Sequence, residues 1–155
     1  MQMGRLLFWR VAAVGLALSL ACAAVARDRG EASIDQLKAR VTDAKVVHRP
    51  QLCIHIAERQ LQAADKNYVA GDSERAKADL TDVVAFAGLA RDYAIESHKH
   101  EKPSEITIRK MIRKLADLKH TVSQEDQAEM QKTIDQLEQI RDDLLKAMFP
   151  KVDKR

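Results

Sequence analysis

The stretch LQAADKNYVAGDSERAKADL, from Leu61 to Leu80, is where two apolar helical periods meet head to tail. Leu61, Ala64 and Tyr68 share one helix face before the break, and Ala76 and Leu80 resume the three-four spacing after it. Gly71 fits the position just past a helix end, where left-handed backbone is needed and a Cβ is costly. Asp72 is placed to accept bonds from the free amides of the next helix, with Glu74 in the first turn that the helix dipole favours. So short a connection predicts an antiparallel helical hairpin.

Outward from the hairpin, the remaining prolines and glycines divide the chain into five helical segments. A seam of Ala76, Leu80, Val83, Ala87, Ala90 and Ala94 marks the segment from Ser73 to about Ser97 as the central helix, because alanines let backbones approach closely. Phe86, Leu89 and Tyr93 are expected to widen its buried arc, and Gly88 to mark a bend or a close crossing. The preceding helix, Pro50 to Ala70, is apolar along Ile54, Ala57, Leu61, Ala64 and Tyr68, with a second patch at Leu52 and Ile56. Before it, Ala32 to Val47 carries Ile34, Leu37, Val41 and Ala44 on one face, and its position near the chain start predicts loose packing. Pro103 to Val122 buries Ile108, Met111, Ile112, Leu115, Leu118 and Val122. The last segment, Glu125 to Met148, follows a Ser123 cap and buries Met130, Ile134, Leu137, Ile140, Leu144 and Met148. The fold class is therefore all-α: an antiparallel bundle of four to five helices around a central hairpin. Residues 27–49 form the N-terminal helix, 50–149 the bundle and 150–155 a disordered tail. Only four aromatics, Tyr68, Phe86, Tyr93 and Phe149, follow the leader, which suits close helix packing better than a sandwich or barrel.

Residues 1–26 have the layout of a secretory signal peptide: Arg5 and Arg10, an apolar run from Val11 to Leu20, and Ala24-Val25-Ala26 before Arg27. The run is shorter than the roughly 20 residues of a spanning helix, so cleavage near Ala26 is expected over retention as an anchor. Acylation of Cys22 is a lesser alternative, since Leu20 stands one position away from the usual lipoprotein pattern. Without the leader, 24 basic residues face 23 acidic ones, so the alkaline character is not a nucleic-acid signal. Cys53 then has no internal partner, and is expected to be a buried small hydrophobe or an intermolecular disulfide.

No metalloprotease, nucleophile-elbow or phosphate-loop pattern occurs, and adjacent Asp142 and Asp143 point to different sides of a helix. No catalytic residue and no cofactor is therefore expected. His98 and His100, like Cys53 and His55, are two residues apart, which on a helix turns them away from a common ion. The most pronounced surface feature is Arg109, Lys110, Arg113 and Lys114 on one side of the fourth segment. Those cations suit an anionic membrane surface or an acidic partner, or are neutralised by Glu129, Asp135 or Asp142 of the next helix.

Leu61, Tyr68, Gly71, Asp72, Ala76 and Leu80 resemble the central part of a tetratricopeptide repeat, in which a small residue after the turn glycine and a large one beyond it lock two helices. The resemblance covers about twenty residues, and no second copy follows at the period of roughly 34 residues that an array requires. It implies a helical hairpin, not a peptide-binding solenoid. The chain as a whole, with Ile112-Arg113-Lys114-Leu115 and Arg141-Asp142-Asp143-Leu144-Leu145, is also similar to small secreted bacterial helical proteins of no assigned activity. The expected function is a non-enzymatic, exported module that binds another protein or itself. A periplasmic metal or small-ligand sensor using the histidines, and attachment to a membrane surface through residues 109–114, are the alternatives.

Overall fold

The computed structural model describes residues 32–150. The expected leader, with Cys22 and the cleavage site, and the tail beyond Pro150 lie outside the described residues. Five α-helices follow one another: α1 (Ile34–Asp43), α2 (Arg49–Val69), α3 (Ser73–Ser97), α4 (Glu101–Lys119) and α5 (Gln124–Met148). A single 3-10 turn at Val46–His48 joins the first two, and no strand occurs among the described residues.

The hairpin forms as its residues dictate. Gly71 adopts φ +79°, and the Asp72 side chain accepts from the Arg75 amide at 3.2 Å. Asn67 donates to Asp79 at 2.6 Å across the two helices just above the turn. Below them, Ala76, Leu80, Val83, Ala87, Ala90 and Ala94 are all buried, so the alanine seam is the contact that closes α2 against α3. Larger side chains add most of the apolar burial: Ile56, Leu80, Ile108, Leu115, Leu137 and Leu144 are fully enclosed, each contributing about 1.5–3 kcal/mol.

Gly88 differs from its expectation. A Cβ built there would meet nothing within 4 Å, so no helix crosses closely at that point. It instead borders a surface groove of about 370 Å³, shared with Val84, Ala85 and Leu89 of α3 and Gln136, Gln139 and Ile140 of α5. Leu89 stands 38% exposed and does not extend the buried arc, whereas Phe86 and Tyr93 are partly buried against the core.

The first helix ends four residues earlier than its apolar period suggests, and Arg49 explains why. Its guanidinium donates to the Ala44 carbonyl at 3.0 Å and the Thr42 carbonyl at 3.4 Å, satisfying the free end of α1, and lies 5.2 Å from the Tyr93 ring centre. At its other end Ser33 and Gln36 form a reciprocal capping box. Far from hanging loose, α1 seats Leu37 and Val41 in the core. Lys38 reaches across to Asp82 of α3 at 2.8 Å and over the Phe86 ring.

α4 starts at Glu101, two residues before Pro103, because a proline in the first turn forgoes an amide that has no helical partner anyway. Its apolar face ends with Leu115 buried and Leu118 partly so; the helix stops at Lys119, so Val122, expected on it, lies instead in the turn before α5, partly buried. The link from α3 holds two left-handed non-glycine residues, His98 at φ 50° and His100 at φ 65°.

The two hairpins lie side by side. Ser73 and Lys77 of α3 meet Asp126 of α5, and farther along Arg91 meets Asp143, so α3 and α5 run parallel. α4 reaches α2 through Lys114 and Asp65, whereas the backbones of α2 and α5 stay apart.

Candidate interaction surface

Helix α4 positions the predicted basic group by locking its opposite side into the core through Ile108, Met111 and Leu115. Arg109, Lys110, Arg113 and Lys114 are consequently all exposed, as four residues on the outer arc of a helix must be. Their electrostatic roles divide. Lys114 is paired with Asp65 of α2 at 2.9 Å. Arg109 lies 3.8 Å from Glu105, a buried carboxylate held mainly by Arg141 of α5 at 2.8 Å. Lys110 and Arg113 make no ion pair among the described residues.

Neutralisation by Glu129, Asp135 or Asp142 does not occur. Glu129 pairs with Lys132 on its own helix, Asp135 accepts from Gln131, and the counter-charges come instead from Asp65 and Glu105. Beside the basic group, Lys110 and Lys114 rim a shallow groove of about 120 Å³ with Glu58, Leu61, Gln62 and Met111. On the other flank, α5 presents Asp135, Glu138 and Asp142 to solvent.

Among the described residues a second ionic cluster lies elsewhere, at the shared amino ends of α3 and α5. Asp126, 5% exposed, accepts from the Ser123 hydroxyl at 2.7 Å and the Ser73 hydroxyl at 3.0 Å, with the Lys77 ammonium 3.3 Å from its other oxygen. The Ser123 hydroxyl, then that of Ser73 and the Lys77 charge, hold its carboxyl below the usual range despite burial. Lys77 is raised in turn, first by its bonds to Glu74 and Asp126. Burial, and then the Asp126 charge, push the Tyr68 phenol upward, and its buried oxygen has no hydrogen-bond partner. Every contact here is between helices or within a cap, so the cluster is a latch that joins the hairpins.

No family model, curated protein or solved structure matches this chain. The site is therefore read from its own chemistry.

Cys53 is fully enclosed, and burial pushes its thiol up to about 11. Of its two expected roles the buried one is present, and a bridge to a second chain would require the core to open. His98 is 87% exposed along its side chain and stands 3.9 Å from Glu101, while His55 is exposed on α2. Among the described residues no three His, Cys, Asp or Glu side chains converge in a way that would hold a metal ion. No described helix is long and apolar enough to cross a membrane.

Glu105 with Arg141, and the reach of Asp126 to Ser73 and Lys77 of α3, are the ionic contacts that the sequence pattern does not show. Asp126 carries a signal, the spacing of three from Ser123 that places a carboxylate over a helix start. Glu105 carries none, since it reads as an ordinary first-turn acid until Arg141 is brought beside it.

Proposed function

We propose that this chain is exported, carries out no chemistry of its own, and works by docking a helix face against protein, either a second copy or an envelope partner. The observation that carries the reading is that Lys110 and Arg113 stand exposed and unpaired on a helix fixed from behind. Charges held on a rigid scaffold steer a partner and set its register without ordering a loop on binding.

A membrane surface is the second reading, favoured by the same cations. Each contributes about 1 kcal/mol near an anionic leaflet, so two unpaired cations supply only about 2 kcal/mol. The face offers no aromatic side chain that would add insertion to that sum. A protein bearing carboxylates adds short-range pairs, and is preferred for that reason. Export rests on the arrangement of residues 1–26.

Chemical cross-linking in intact cells tests the reading, with the Lys110→Glu, Arg113→Glu double variant as comparison. The expected result is a defined cross-linked product in the envelope fraction that the variant loses while its thermal melt is unchanged. An identical product pattern in the variant would remove the α4 face from consideration. Stoichiometric stabilisation by zinc, copper or nickel would move the protein to the ligand-sensor class. Salt-sensitive sedimentation with anionic vesicles, without a protein cross-link, would move it to the membrane.

A further inference from the structure

The α4–α5 pair presents two charged stripes whose residues stand level with one another. Glu105 meets Arg141 near one end of the pair, and Lys119 meets Gln131 near the other. The two contacts differ in register by four residues, and the antiparallel count midway between them sets Arg113 level with Asp135, Arg109 within one residue of Glu138, and Asp117 within one residue of Lys132. All six are exposed, and each level joins opposite charges. Arg113 and Glu138 form no ion pair within the described residues; Arg109 and Lys132 contact only acids on their own helices.

We infer that the protein self-associates through this face about a two-fold axis parallel to the helices. The inference rests on the docking function above and names its partner. Such an axis carries α4 of one copy onto α5 of the other without changing height, so all three opposite-charge levels are satisfied, each twice. A two-fold axis across the helices through the middle level would instead lay α4 on α4 and α5 on α5, setting Arg113 against Arg113 and Asp135 against Asp135, and these two repulsions offset part of the attraction that Arg109 to Asp117 and Glu138 to Lys132 would provide. The charge pattern selects the first arrangement and disfavours the second. At the far end, Lys102 and Lys146 stand nearly level, and there the pairing stops.

The face also has the size for a weak dimer. Nineteen residues of α4 span about 28 Å. Two helices side by side offer a width of about 20 Å, so about 550 Å² per copy is covered, near the lower bound for a specific interface. With half-buried Ile106 and Ala116 as its main apolar residues, the dimer is governed by charge and weakened by salt.

Sedimentation velocity on the chain expressed from its complete sequence, in the form the cell leaves it, provides the test. The wild type should show a monomer–dimer equilibrium at low salt that moves toward monomer as salt rises. Arg113→Glu alone, or Asp135→Arg alone, should raise the dissociation constant at least about tenfold, because each converts two symmetry-related attractions into repulsions. Mixing the two single variants should restore association. In the heterodimer the carboxylate introduced at position 113 of one copy faces the guanidinium introduced at position 135 of the other, and the remaining level keeps its native Arg113 and Asp135. Both sites are exposed, and circular dichroism melts confirm that each variant is folded. A wild type that stays monomeric at low salt, or two variants that do not complement on mixing, overturns the inference. If those variants fail to complement yet Arg113→Glu still abolishes a cellular cross-link to another protein, self-association is wrong while the docking function stands.

Discussion

Replacing Asp126 by alanine removes the buried acceptor of the Ser123 and Ser73 hydroxyls and the charge facing Lys77. Hydrogen bonds to a charged acceptor contribute about 1.5–3 kcal/mol, and a carboxylate in a first helical turn adds about 0.5 kcal/mol through the dipole. Ser123 keeps its own bond to the residue 126 amide, so part of the cap survives. The net loss is therefore about 3 kcal/mol, or a fall in Tm of roughly 10–15 °C for a domain of this size. The Asp126→Asn variant retains one acceptor and should lose about half as much. The signature that separates this cause from a packing defect is its pH dependence. The unfolded carboxyl titrates near 3.8 and the folded one below that. The contribution is thus complete at neutral and mildly acidic pH, and disappears as pH falls through the folded value. Calorimetric melts of wild type and Asp126→Ala should differ fully at about pH 7 and converge as pH falls below the folded value, which lies under the unfolded one. A variant within about 2 °C of wild type at neutral pH, or a difference that persists undiminished into acid, would refute the assignment of Asp126 as the ionic latch.

The two hairpin-helix glycines should respond with opposite sign. Gly88→Ala is expected to stabilise by about 1 kcal/mol, since the helix gains propensity and the new methyl meets nothing; Gly71→Ala should cost about 1 kcal/mol because its φ is +79°. Denaturant midpoints read both. His98→Gly should raise stability by about 0.5 kcal/mol by relieving a left-handed side-chain-bearing residue at the end of α3, and a loss of stability would mean that the imidazole's contact with Glu101 outweighs the strain. Cys53 should react with a thiol reagent at mildly alkaline pH at least about 100-fold more slowly than in denaturant, because the thiol is both enclosed and held protonated; rapid labelling of the folded chain would contradict its placement.

What the residues disclose in advance is whatever local geometry decides. Gly71 and Asp72 specify the reversal because one needs a left-handed backbone and the other a free amide, and both requirements act within four residues. Buried faces follow equally well where the period is unbroken, as from Ala76 to Ala94. Legibility fails where a distant side chain intervenes. The apolar period past Asp43 suggests more helix, but Arg49 captures the carbonyls and ends it. Leu89 fits an apolar flank and yet opens onto a groove, since no helix happens to cover that side of α3. The basic group is visible on α4, but its division into paired Lys114 and unpaired Arg113 depends on α2 being the neighbour, which no spacing encodes. The same ignorance of neighbour order hides Glu105 with Arg141.

Neighbour order is itself something the chain must choose. Short connectors would equally let four helices close into a ring in which each touches only those next to it in sequence, leaving α3 and α5 on a diagonal. In that rival topology Asp126 would be buried away from Ser73 and Lys77, with no answering charge. By making one carboxylate serve two helix starts at once, the molecule penalises the wrong arrangement more than it rewards the right one, so that a single acidic residue acts as an assembly key for the second hairpin.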